Sequence, residues 1–130
     1  MALTGVGRAV ETRTIRATDK AARTGLRVEE GGRYRFRTSG TWKDAWIVAT
    51  PAGFERWWLR AFTPLRRLPE APWFALCAHV DGAADRPFAI GGGLDEWHAP
   101  ASGELVCFAN DVPFLYGNNS GEITLQVSRI

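Results

Sequence analysis

The alternation of apolar and charged residues constrains this chain most. In RYRFRTS, Arg33 to Ser39, Tyr34, Phe36 and Thr38 fall on one side and the arginines on the other. Period two is what a half-buried β-strand requires, because successive side chains point to opposite faces. Glycines before and after the run mark turns. The same reading extends along the chain. RAVETRTIRA, GLRVEE and AWIVA are earlier strand candidates. WFALCAHV (73–80) is an apolar run closed by Asp-Gly, and RPFAIGGG ends in a glycine run that suits a bend. ELVCFAN and EITLQVSRI are two further strands, the second alternating through Ile123, Leu125 and Val127. FERWWLRAF, 54–62, is the single helix candidate, and its brevity and aromatic content favour a strand or an irregular segment. Many short strands separated by turns predict an all-β protein, a β-sandwich or jelly roll.

The 130 residues fit one domain, 1–130, with no repeat, linker or low-complexity tract. A formal net charge of +2 gives no reason to expect nucleic acid or a membrane surface as partner. No segment nears the ~20 apolar residues of a bilayer span. The first twenty residues contain no apolar signal core, so synthesis in the cytoplasm is expected, with release by a non-classical route left open. Arg66-Arg67, between prolines, reads as a solvated loop. Cys77 and Cys107 sit in apolar runs and read as buried thiols, with a cross-strand disulfide left open.

Catalytic signatures are absent from the sequence: it has no GxSxG, HExxH, Walker loop or dinucleotide fingerprint. His79 lies within a strand run and reads as a packed or edge residue. His98 follows Asp95 and Glu96 in an expected loop, with no nucleophile nearby. A non-catalytic protein is the expectation.

One loop stands apart. NDVPFLYGNNSG, 110–121, holds an aspartate, three asparagines, a proline and two glycines between two apolar strands. Calcium takes about six to eight oxygens from carboxylates, amides and backbone carbonyls. Asp111, Asn110, Asn118 and Asn119 offer such oxygens, and Pro113 and Gly117 help the backbone curl. Asx-turns use the same side chains, so the residues alone leave a plain turn and a cation site both open. Asn118-Asn119-Ser120 is formally a glycosylation sequon, read as accidental.

The segment ANDVPFLYGNNSGEITLQV resembles the C-terminal part of the PA-I galactophilic lectin family, the calcium-dependent galactose-binding bacterial lectins. Asn110, Asp111, Val112, Pro113, Tyr116, Gly117, Asn118, Asn119, Ser120 and Gly121 carry the likeness. GLDEWHAPASGELVCFAND upstream has the same cadence, and TGLRVEEGGRYRFRTSGTW resembles the family's early strand pair. The resemblance implies a galactose-binding-domain-like jelly-roll β-sandwich. It implies Ca2+ held by the side chains of Asp111, Asn118 and Asn119, by the carbonyl of Leu115, and by a carbonyl from the stretch 41–44, placed at Asp44, whose carboxylate could add to it. It implies that the calcium bridges to two neighbouring hydroxyls of a galactose-like sugar, with Asp111, Val112, Asn118 and Asn119 around it. The family also grips the sugar with a histidine and a glutamine from its middle loop. The corresponding stretch here, 49–72, has neither and carries Trp57, Trp58, Arg60, Arg66 and Arg67 instead. Trp57 and Trp58 are therefore candidates to stack on the sugar, or else core or interface residues. Trp42 and Trp97 read as structural, and Phe114 as a residue that narrows the pocket mouth. The expected function is a calcium-dependent carbohydrate-binding lectin. Single sugar sites are weak, so a homo-oligomer, dimer or tetramer, is expected to supply avidity. The alternative is an interaction or assembly module that keeps the fold, with or without a structural calcium, but not the sugar pocket.

Overall fold

The computed structural model describes residues 10–130, so Arg8 and Ala9 of the first strand candidate lie outside the described residues. Among the described residues, nine strands form two antiparallel sheets. In the first, β1 (Val10–Arg16) pairs with β9 (Asn119–Arg129), and β9 with β3 (Arg33–Asp44). The twelve-residue β3 is long enough for two further partners on its free edge. Its first half pairs with β7 (Gly93–His98) and its last residues with β4 (Ile47–Ala49). The second sheet runs β2 (Ala22–Val28), β8 (Gly103–Ala109), β5 (Leu76–Val80) and β6 (Phe88–Ala89). The two sheets face each other over one core, and the all-β sandwich reading holds.

The alternating strands place that core as expected. Tyr34, Phe36 and Trp42 of β3 and Ile123, Leu125 and Val127 of β9 are buried against Leu26, Leu76, Leu105 and Cys107. The ladder between β3 and β9 runs from Tyr34 opposite Arg129 to Asp44 opposite Asn119. β5 and β8 read as continuous apolar runs because both their faces are covered, the condition under which alternation disappears. Their outer face carries Cys77 and Phe108, which pack with Leu68 and Ala71 from the segment that precedes β5.

Three expectations are corrected. Residues Trp57–Leu65 wind into a 3-10 helix rather than a strand or irregular segment, although Phe54 just before it does bridge to Trp73 in strand fashion. Arg66 and Arg67 are not a solvated pair. Arg66 is 5% exposed and reaches the carbonyl of Pro69 and the carboxylate of Glu55, while Arg67 lies 3.5 Å from the Phe108 ring centre and donates to the hydroxyl of Tyr116 at 3.0 Å. Planar guanidinium groups cover aromatic faces well, which a charge count misses. His98 lies at the end of β7, not in a loop, and its Nε2 sits 3.1 Å from Glu96, two residues back on the same face.

Trp42 joins the sheets, its indole N–H donating to the carbonyl of Phe74 at 3.1 Å. Opposite it in the ladder is Gly121, at φ +84, where a Cβ would meet the Trp42 Cα at 3.1 Å. Only glycine supplies that backbone without strain.

The cysteines remain free and buried. Cys107 pairs with Ala78, one position along from Cys77, so the two thiols point to opposite faces of one sheet. Burial pushes the Cys77 thiol up to about 12 and that of Cys107 higher still. A thiol reagent such as Ellman's reagent at pH 8 should therefore leave both cysteines untouched in the folded protein and titrate both after denaturation. Fast reaction of either in the native state would contradict this packing.

Candidate functional site

The inner rows of both sheets end in oxygen. On β3, Trp42 is buried and the next inward position is Asp44; across the ladder stands Asn119, the first residue of β9. On β8, Leu105, Cys107 and Ala109 are buried, and the same alternation two residues on is Asp111, 2% exposed. The sandwich register thus gathers Asp44, Asn119 and Asp111 at one end of the core. Asp44 and Asp111 share the wall of a single cleft of about 370 Å³, a volume suited to a small ligand.

Each group is oriented by its own contacts. Asp111 Oδ1 accepts the N–H of Val112 at 2.7 Å, and Oδ2 has no donor within hydrogen-bond distance among the described residues. The side-chain nitrogen of Asn119 donates to the carbonyl of Ala17 at 3.0 Å, which fixes the amide so that Oδ1 lies on the other side, also without a donor. Two buried acceptors lacking any donor are unusual, since such groups are almost always paired. Two oxygens with free lone pairs, next to a second carboxylate, are of the type that a hard cation binds. Burial above all pushes the Asp111 carboxyl up to about 6; the Val112 N–H opposes it most, the charge of Asp44 adds to the rise, and the Asn119 amide opposes it least. Burial raises Asp44 as well.

The loop between β8 and β9 holds the remaining expected ligands. Leu115 precedes a 3-10 turn, Tyr116–Asn118, and its carbonyl accepts the N–H of Asn118 at 3.4 Å. Asn118 is exposed at this turn, and its backbone carbonyl accepts the N–H of Ala45, next to Asp44. Tyr116 is buried and donates its hydroxyl to the carbonyl of Ala109, tying the loop to β8. Asn110, in sequence a possible ligand, is a clamp instead. Its amide nitrogen reaches the carbonyls of Leu68, Ala71 and Pro72, and its Oδ1 accepts the N–H of Leu68 at 2.9 Å. Its own backbone carbonyl accepts the N–H of Phe74, holding that residue at φ +61.

Beyond its oxygens the cleft is apolar. Val112, Trp73, Phe114 and Leu115 line it, together with Leu59, Phe62 and Leu65 of the 3-10 helix. Phe114 stands at the mouth, 76% exposed. Trp57 and Trp58 do not line the cleft. Trp57 is 80% exposed over a separate hollow, and Trp58 stacks on Trp46 with ring centres 6.5 Å apart. The reason is the period of the helix. Three residues per turn put 59, 62 and 65 on one side and 57, 60 and 63 on another. Sequence reasoning passed over Leu59, Phe62 and Leu65; their i, i+3 spacing was the available signal, hidden by expecting a strand.

Two measurements follow from this geometry. Asn110→Ala strips partners from several buried groups and should destabilise the fold by about 3 kcal/mol or more in denaturant unfolding. Separately, with chelator present, folded Asp111 holds a proton between its ordinary 3.8 and about 6 that the unfolded chain has already released. Stability should therefore fall as pH rises through that window. Asp111→Asn should flatten this slope in a series of thermal midpoints; an unchanged slope would assign it elsewhere.

Comparison with known proteins agrees with the fold and adds the family. Residues 56–129 match the family described as "PA-IL-like protein". A stretch of 44 residues is 46% identical to Lectin A of Photorhabdus laumondii, covering 34% of this chain and 36% of that protein, so the match spans about a third of the relative. A solved structure titled "EclA N-terminal domain; PllA-like lectin" aligns at a TM-score of 0.69 with 20% identity, over 92% of this chain and 95% of that one. With more than half of its residues matched, the chain belongs to the PA-IL-like protein family.

Proposed function

We propose that this protein is a calcium-dependent lectin whose site is the cleft at Asp111. The observation that carries the reading is the pair of donorless buried oxygens, Asp111 Oδ2 and Asn119 Oδ1, at the end of the core. Asp111, Asn119, the side chain of Asn118, the carbonyl of Leu115 and Asp44 would hold the ion. Bound calcium would supply a positive charge with coordination positions open to two neighbouring hydroxyls of a galactose-like sugar. The chain's own residues do the rest. Asp111 accepts hydrogen bonds from those hydroxyls, which are strong because they are charge-assisted. Val112, Phe62, Leu65 and Phe114 exclude water and offer apolar surface to the sugar's C–H face. This wall replaces the histidine and glutamine of the related lectins, so preference among neutral sugars rests on shape and hydroxyl geometry. Several copies in one homo-oligomer would raise the avidity of a weak single site.

A second reading has one observation in its favour. The Trp46–Trp58 stack is exposed and lies outside the cleft, as an assembly module that kept the fold but not the sugar pocket would require.

Calorimetric titration separates the two. Galactose added to calcium-loaded protein should release heat, and chelator should abolish the signal. Asp111→Ala should weaken calcium binding by about tenfold or more, the scale of one charged contact, and remove the sugar response. Calcium binding with no response to galactose or to a glycan array would sink the lectin reading and leave the ion as a staple.

A further inference from the structure

The 3-10 helix has a second working face. Trp57, Arg60 and Thr63 line a hollow of about 290 Å³ together with Glu55 and Arg56, on a different face of the helix from the one that lines the Asp111 cleft. Its charge is one-sided. Glu55 is held by the buried Arg66 through two contacts of 2.9 and 3.3 Å, which neutralises its carboxylate. Arg60 has no hydrogen bond or ion pair among the described residues. Arg56 lies over the Phe54 ring at 5.7 Å and has no acidic partner among the described residues. Two guanidinium groups without carboxylates thus flank an indole that is 80% exposed.

We propose that this hollow is a second subsite, which takes an acidic sugar residue of the glycan whose neutral residue occupies the Asp111 cleft. The chemistry of the lining selects that class. Guanidinium forks match the oxygens of a carboxylate or sulfate in pairs. The face of Trp57 suits the apolar side of a sugar ring, and the Thr63 hydroxyl can serve a ring hydroxyl. A nucleic-acid backbone would need a longer basic track than two arginines in a chain of net charge +2. The two subsites lie on different faces of one short helix, about 120° apart at three residues per turn, and where an extended or branched glycan engages both, the second contact is intramolecular. The proposal rests on the carbohydrate-binding reading, but the hollow itself uses no calcium.

The test uses the full chain and NMR with probes of each kind: methyl galactoside, methyl glucuronide, N-acetylneuraminic acid and a 6-sulfated galactoside, each with calcium and with chelator. The acidic monosaccharides should shift the Trp57 indole signal whether or not calcium is present. The carboxylate and sulfate probes distinguish which anion is preferred. An acidic galactose-containing oligosaccharide should bind about tenfold more tightly than its neutral counterpart, and Arg60→Ala should remove that advantage without changing calcium or methyl galactoside binding. Absence of any Trp57 shift with every acidic probe would overturn the subsite, as would an acidic advantage that survives both Arg56→Ala and Arg60→Ala. If methyl galactoside ignores calcium, the cleft reading fails on its own, and the Trp57 response still decides the hollow.

Discussion

The burial of oxygen at one end of the sandwich organises the molecule. Asp111 and Asn119 each present an acceptor without a donor, and Asp44 adds a second carboxylate beside them. An unpaired buried acceptor costs about 1–3 kcal/mol, so such an arrangement persists only where the fold enforces it. The ladder of β3 with β9 enforces it from one side, the end of strand β8, two residues before Asp111, from the other. A hard cation bound there would convert the cost into attraction, and that is the physical case for the proposed calcium.

The surroundings are built to hold those oxygens still. Asn110, next in the chain to Asp111, pins the segment from Leu68 to Pro72 with its side chain and Phe74 with its backbone. Tyr116 pins the loop to β8, and Arg67 reaches over to Tyr116. Functional and structural roles are thus divided between neighbours: in the pair Asn110-Asp111 one residue clamps the backbone, and the other faces the cleft.

Much of this was legible in the residues. Alternation predicted the strands and their buried side in β3 and β9, and the cadence of 110–121 pointed to the family. Sheet register brings Asp111, Asn119 and Asp44 to one end of the core, and Asp44 and Asp111 line one cleft, while their role as ligands stays a proposal, as does the ion. The middle segment was misread for a physical reason. Trp57 and Trp58 attracted attention because large aromatics are expected either in a core or on a sugar, yet the 3-10 period turns them away from Asp111 and brings Leu59, Phe62 and Leu65 in. Arg66 and Arg67 looked solvated because a charge pair between prolines carries no record of the aromatic rings and carbonyls that will meet it.

What the sequence determined by itself is the local and periodic: period-two strands, turns at glycine and asparagine, an all-β class, and a loop rich in hard oxygen donors. These follow from interactions between near neighbours, which a linear string records. What only the tertiary structure decided is which oxygens are left without donors, which wall closes the cleft, and which arginines are free to meet a ligand. Those depend on pairs far apart in the chain, such as Asp44 with Asp111 and Glu55 with Arg66. Their meeting is set by sheet register and helix period, and neither is visible until the strands have found their partners.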